Sequence, residues 1–539
     1  MLVRPFNTLV ALLTAVIIFL AVSILWNSNN SPPTMVPFSA SSPDSRVSVP
    51  GAYFLAIDTK RIADDKWFFE FAPFRTVYIV LPVPSEPDKV NIQSGAALGQ
   101  STMVGGTPPA AATTTTDLVA EPEKPAEEVK TPEPEPIIAP ERNEYGFLPA
   151  VKTGELPNPM RIFLVENAGS HEEVFAALIY AFAQIPNSYI YEYLFRPRFN
   201  IFTILKSFNL GNLAKPRFST SMKLDETEPH PDIILATTCE FDVTRLQPQM
   251  SYMLGNGSYL FCTIHHADRW HRESSYKYYN AIQPWIEADR VTFLFLSGHT
   301  KRYVEEQVIP SWDMKHRDAT KKFEVFVPVF PVEPSTKEEM SFSLQGNYES
   351  VRRDYKSIFD RFSAFEKNHP DKPQFQQLRM HLIGHGKHPD VPQEIGNRVE
   401  FNEGLEFEEF YKILSESFAL LPAFASDEYY DRKASSSVPA SLIAGVPIVG
   451  KRQLLQTYDY MTEDSMWIQG DDEDDMAVVG RILEMSQQDI DAQKSRTRYR
   501  NREVIDENIQ KALSWSRAIE HRQNRTGLEP LKEGWTWEW

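Results

Sequence analysis

The chain has 539 residues, 42% of them hydrophobic and 24% charged, with a formal net charge of −18. That length exceeds what one hydrophobic core organises, so at least two folded domains are expected. The acidic balance, without a basic stripe of the kind that follows a phosphate backbone, excludes nucleic acid as a general partner. Two cysteines, Cys239 and Cys262, exclude a disulfide framework; they either form one bridge or stay as two buried thiols.

In chain order, residues 1–7 form a short tail containing Arg4, and residues 8–26 (TLVALLTAVIIFLAVSILW) are an uncharged apolar run long enough to cross a bilayer. Positive charge before the run and none soon after it predicts a cytoplasmic N-terminus and a lumenal body. Ala21-Val22-Ser23 also suits cleavage of a signal peptide, but the length and the closing Trp26 favour a signal-anchor. Either reading sends the chain into the secretory pathway, the anchor as a single-pass type II membrane protein of the Golgi or endoplasmic reticulum. Residues 27–144 read as a stem. Within it, 51–84 are aromatic and apolar enough to fold, whereas 85–142 are rich in Pro, Thr and Glu and read as a disordered spacer.

From residue 145 the pattern changes. Short apolar runs at 161–165, 189–195, 231–237, 259–264, 291–296 and 324–330 alternate with helical stretches, which predicts a parallel sheet covered on both faces. The pattern restarts at 342–344, then continues through 378–383, 398–401, 418–421, 447–449 and 466–468. The expected fold class is therefore α/β, with two Rossmann-like domains, 145–332 and 333–522, facing a cleft. Residues 523–539 form a tail.

Ligands in open α/β sheets bind outside the carboxyl ends of the strands, so the turns there hold the candidates. In the first domain these are His171, His265 and His266, with Asp268 close by. An imidazole beside a carboxylate suits general-base work near neutral pH; histidines capping turns, with Asp268 capping a helix, is the other reading. In the second domain, Gly346 and Asn347 end a strand ahead of a predicted helix whose first turns carry Arg352, Arg353 and Lys356, a combination that suits a diphosphate. Ser435, Ser436 and Ser437 stand at the mouth of a helix closed by Gly445 and Pro447, where hydroxyls and amides form a polar nest. The acidic run 470–475 reads as a helix-start loop rather than a metal site, and no metal or cofactor is expected. Asn256-Gly-Ser and Asn524-Arg-Thr are glycosylation acceptors if the body is lumenal.

The turns SLQGN and HLIGHGK, taken with KASSSVPASLIAGVPIV, resemble the donor-binding half of GT-B-fold glycosyltransferases. The resemblance covers about Arg161–Arg522 and extends to fungal membrane-anchored glycosyltransferase-like proteins. It implies transfer of a sugar from a nucleotide-sugar donor to a hydroxyl on a glycan, protein or lipid acceptor. It also implies donor contacts at Gly346, Asn347, Arg352, His385, Lys433, Ser435, Ser436, Ser437 and Val438, with acceptor-side chemistry at His265, His266 or His171. Retaining members carry a pair of glutamates beside the donor helix. Here Glu428 is present, while a serine or proline stands where its companion falls. That departure leaves two outcomes open: an active transferase, or an inactive relative that binds a nucleotide or glycan.

Overall fold

The computed structural model describes residues 142–144, 146–147, 158–214, 217–218, 230–272 and 276–523. The apolar run 8–26, the stem before residue 142, Asn524 and the tail beyond residue 523 lie outside them. Among the described residues, no helix is long and apolar enough to cross a membrane.

Two parallel sheets form the frame. The first contains β1 (Met160–Glu166), β2 (Ser188–Leu194), β3 (Arg217–Phe218), β4 (Ile233–Ala236), β5 (Tyr259–Ile264), β6 (Val291–Phe295) and β7 (Phe323–Val325) in the order 3-2-1-4-5-6-7. The second contains β8 (Ser341–Gln345), β9 (Arg379–Gly384), β10 (Val399–Glu403), β11 (Ala419–Leu420), β12 (Ile448–Gly450) and β13 (Met466–Ile468) in the order 10-9-8-11-12-13. Each is doubly wound: the order reverses beside its first strand, between β1 and β4 and between β8 and β11. Both faces are buried, which is why these strands read as continuous apolar runs. The YLFCTI run of β5, for instance, is buried at all six positions.

One core cluster joins the two halves. It contains the Glu172–Phe182 helix from the first, the Phe407–Glu416 and Ser437–Ala444 helices from the second, and the last helix, Gln487–Arg522. The outer faces of the two sheets have their own clusters. The last helix runs 36 residues and returns to the first half, where Trp515 packs on Phe182 and Phe261. Cys239, at the start of the Cys239–Arg245 helix, is bridged to Cys262 of β5.

Two local expectations fail for physical reasons. The sixth apolar run was expected as a strand over 324–330, but the ladder ends at Val325. Pro328 and Pro331 have no N–H to offer a sheet, and the stretch instead passes as a buried extended strap beneath the last helix. Asn508 and Asn501 there donate to the carbonyls of Val327 and Phe330. The helix expected to contain Arg352 and Arg353 begins at Tyr355 instead, because Asp354 is its N-cap and accepts from the Ser357 N–H at 3.1 Å. Both arginines precede it.

Candidate functional site

A cleft of about 590 Å³ lies between the carboxyl edges of the two sheets, lined by both halves. His171, His265 and His266 line it from the first half. Gly346, Asn347, Arg352, His385, Lys433, Ser435 and Ser436 line it from the second. Asp268, Ser437 and Val438 do not. Asp268 sits in the helical turn Ala267–Trp270, and the carboxylate that touches the His265–His266 turn is Glu240. Its Oε1 accepts the backbone N–H groups of His265 and His266 and the Trp270 indole N–H, at 2.8–3.1 Å. Val438 is a core residue.

The histidine wall is tightly constrained. His171 and His265 stack with ring centres 3.6 Å apart. Nε2 of His265 lies 2.8 Å from the Thr237 carbonyl, so that nitrogen carries the hydrogen and donates. Nδ1 of His171 is 2.8 Å from the Thr238 hydroxyl. Burial lowers the pKa of His265 to about 4, and burial together with the neighbouring histidines holds His171 well below its ordinary value. These rings are neutral at physiological pH.

The triple-serine turn divides its hydroxyls. Ser436 is exposed to the cleft, with its Oγ accepting from Gln345 Nε2 at 3.4 Å. Ser435 is nearly buried; its N–H is taken by the Tyr458 hydroxyl and its Oγ accepts from Ser437 N–H. Ser437 is sealed under the turn, donating to Gln345 Oε1 at 2.6 Å and accepting from Arg353 Nη2 at 2.8 Å. The amides expected to be free are largely used as well. Val438 and Ala440 donate within the turn, Gly346 donates to Ile383 O, and Tyr348 donates to His385 O. The helix that follows Gly346 in the chain starts only at Tyr355, so its terminus is not at the glycine turn.

Charge replaces the amides at this end of the cleft. Arg353 is 4% exposed, and its guanidinium donates to Gln345 O, Arg352 O and Ser437 Oγ beside the Phe424 and Tyr429 rings, which stack on each other. It lies directly beneath Gly346: a Cβ built there would stand 3.1 Å from Nη2, at a φ of +139° that only glycine adopts readily. Gly384 serves the same turn from the next strand, since a Cβ there would fall 1.9 Å from Gly346 O.

Four cations and four acids line the cleft, and six of the eight are paired. Arg352 pairs with Glu349, Lys433 with Glu428, and Arg198 with Glu172. Arg432 also holds Glu428, and the two cations keep its carboxyl below the ordinary range. Among the described residues, Arg353 has no acidic partner in the second half and Glu173 has no basic ion-pair partner in the first. Sequence reasoning named Arg353 only together with Arg352 and Lys356, and missed Glu173. An Arg-Arg pair and a Glu-Glu pair each look like solvated helix ends, and only the fold shows which member is left without an ion pair. Among the described residues there is also no cluster of three or more metal-ligating side chains.

The halves are tied above the serine turn by His299. Its ring nitrogens face the Lys433 carbonyl at 3.1 Å and the Thr457 carbonyl at 3.3 Å, and the ring packs edge-on against Tyr458.

Two doubly wound parallel sheets facing one cleft make this a GT-B arrangement, as the resemblance implied. No family model matches the chain, and no curated protein matches it. Among solved structures, Anabaena HepE in complex with UDP-glucose is similar over 68% of this chain and 99% of its own, at 12% identity and a TM-score of 0.42. A glycosyltransferase from Rickettsia africae is similar over 69% of this chain and 100% of its own, at 12% identity and a TM-score of 0.41. A UDP-N-acetylglucosamine 2-epimerase from Rickettsia bellii is similar over 68% and 99%, at 10% identity and a TM-score of 0.35. The fold assignment rests on strand order and not on these likenesses.

Proposed function

We propose that the chain transfers a sugar from a nucleotide-sugar donor to a hydroxyl acceptor. One observation carries this reading: a buried guanidinium without an acidic partner, Arg353, lies under the glycine turn at the carboxyl edge of the second sheet. Such a charge is costly to hold in protein surroundings. An anionic group above Gly346 offsets that cost, and a departing diphosphate gains the most from a preorganised positive site. Asn347, Arg352, His385, Ser435 and Ser436 line the same cleft. The histidine wall with Arg198 is the acceptor side. Either stereochemical outcome is compatible with the donor site alone.

The bridged Cys239 and Cys262 support a lumenal setting, since such bonds persist in oxidising compartments. In that setting the exposed Asn256 serves as a glycan acceptor, and residues 8–26 serve as the membrane anchor.

A second reading, a non-catalytic nucleotide- or glycan-binding protein, is favoured by one observation. Glu428 is locked by Lys433 and Arg432, so it is occupied even without a ligand. The first test is thermal unfolding of the full-length chain with UDP, GDP or ADP. At least one raises the midpoint, and the shift falls in Arg353→Met. A chain indifferent to all three refutes the transferase reading and the nucleotide-binding form of the second. Binding without nucleotide release from UDP-glucose, GDP-mannose or ADP-glucose selects the second.

A further inference from the structure

We infer that Glu173, and not a histidine of the wall, is the group that takes the proton from the attacking hydroxyl. The inference rests on the transferase reading above. It begins with the acids of the cleft: Glu172, Glu349 and Glu428 are each held by a cation. Glu173 is the remaining acid on the lining; it has no ion pair among the described residues, and its carboxyl accepts from its own backbone N–H. It stands in the first turn of the Glu172–Phe182 helix, directly beyond the loop that follows β1, where the cleft is walled by Phe407, Tyr411 and Ile443 of the other half. Its side chain stays open to the cleft, yet the surrounding protein lifts its pKa to about 7; burial is the main cause, with a smaller push from Glu172 and an opposing pull from Arg198, and Tyr411 is the titratable group facing it from the other half. A carboxylate of that basicity is matched to proton transfer near neutral pH.

The histidines are poorer candidates by geometry. His265 already donates through Nε2 to a carbonyl, and its ring lies flat against His171. Taking up a proton would put a charge between a buried neighbour ring and a site that holds both rings neutral. Glu173 has neither constraint.

The step balances as a single displacement. The acceptor hydroxyl gives its proton to the Glu173 carboxylate as its oxygen bonds to the anomeric carbon. The bond from that carbon to the phosphate oxygen breaks, and the nucleoside diphosphate leaves with the electron pair on the Arg353 side. The anomeric configuration is therefore inverted.

The test uses the full-length chain with UDP-glucose, GDP-mannose and ADP-glucose, water standing in for the acceptor, and follows nucleotide release from pH 5 to 9. In the wild-type chain kcat rises with pH through a limb near 7. Glu173→Gln should lose at least tenfold in kcat and lose the limb, while keeping its thermal midpoint, its nucleotide-induced shift and its KM. Glu173→Asp, which keeps a carboxylate, recovers part of the rate and the limb. His265→Gln keeps the limb. Loss of less than tenfold in Glu173→Gln, survival of the limb, or a wild-type chain that binds nucleotide without releasing any from these donors overturns the inference. Failure of every nucleotide to bind overturns the transferase reading itself. If Glu173→Gln does not fold, the Asp variant decides alone: a wild-type-like rate with an unmoved limb is expected only if residue 173 has no part in proton transfer.

Discussion

Ser437 is a small residue with an outsized position. Its hydroxyl accepts from Arg353 and donates in turn to Gln345. Replacing it with alanine removes an acceptor from a buried cation and a donor from a buried amide oxygen. Losing one partner of such a pair costs about 1–3 kcal/mol, more when the group left behind is charged. Ser437→Ala is therefore expected to lower unfolding free energy by roughly 2 kcal/mol in denaturant titration, and to weaken nucleotide binding because the guanidinium loses its orientation. Ser436→Ala, on an exposed hydroxyl with one long hydrogen bond, should leave stability nearly unchanged. A reversed ranking would mean that the cluster is not built as described.

The long last helix is the element that welds the body. Asn501, Asn508 and Lys511 each donate to a carbonyl of the strap 325–330, and Trp515 fills the space against Phe182 and Phe261. Trp515 is 2% exposed, so Trp515→Ala is expected to cost about 3–5 kcal/mol, measured by chemical denaturation. Because Phe182 closes the helix that carries Glu173, the same variant should also slow turnover. At this scale much was legible in the sequence. The positions of twelve strands could be read from apolar runs bounded by Gly, Pro and Asn, because buried parallel strands have no polar face to confuse the pattern; the two-residue β3 had no such run. What failed had local causes: prolines ended β7 early, and an aspartate N-cap outweighed an arginine-rich stretch that otherwise looks helical. Within the site, the strand-end glycines, serines and histidines were legible by position. That Arg353 and not Arg352 is buried, and that Glu173 is left without an ion pair, was not, since burial and pairing are decided by how the elements pack.

The whole molecule holds two opposed sets of shifted groups. Glu166, Glu173 and Glu192 are raised to about 7, chiefly by burial, so the folded chain keeps protons there that the unfolded chain releases. Their effect reduces stability as pH rises from about 4.5 to 7. His171, His265, His266 and His299 are lowered, again chiefly by burial, so the unfolded chain takes protons there that the folded chain refuses. Their effect reduces stability as pH falls below about 6.5. Asp242, Glu324 and Asp475 are raised in the same way, so the two limbs oppose one another between about pH 4.5 and 6.5, and above about pH 6.5 the raised carboxyls alone lower the thermal midpoint. A midpoint that climbs steadily from pH 5 to 9 would contradict these environments.

The solitary guanidinium beneath Gly346 also has a consequence at the bench. With no acidic partner among the described residues, that one charge should attract whatever small oxyanion the solution supplies. Sulfate, phosphate or citrate in a purification buffer should therefore act as a competitive guest, raising the melting temperature and masking a genuine substrate. Screens run in Tris chloride should reveal affinities that those buffers hide.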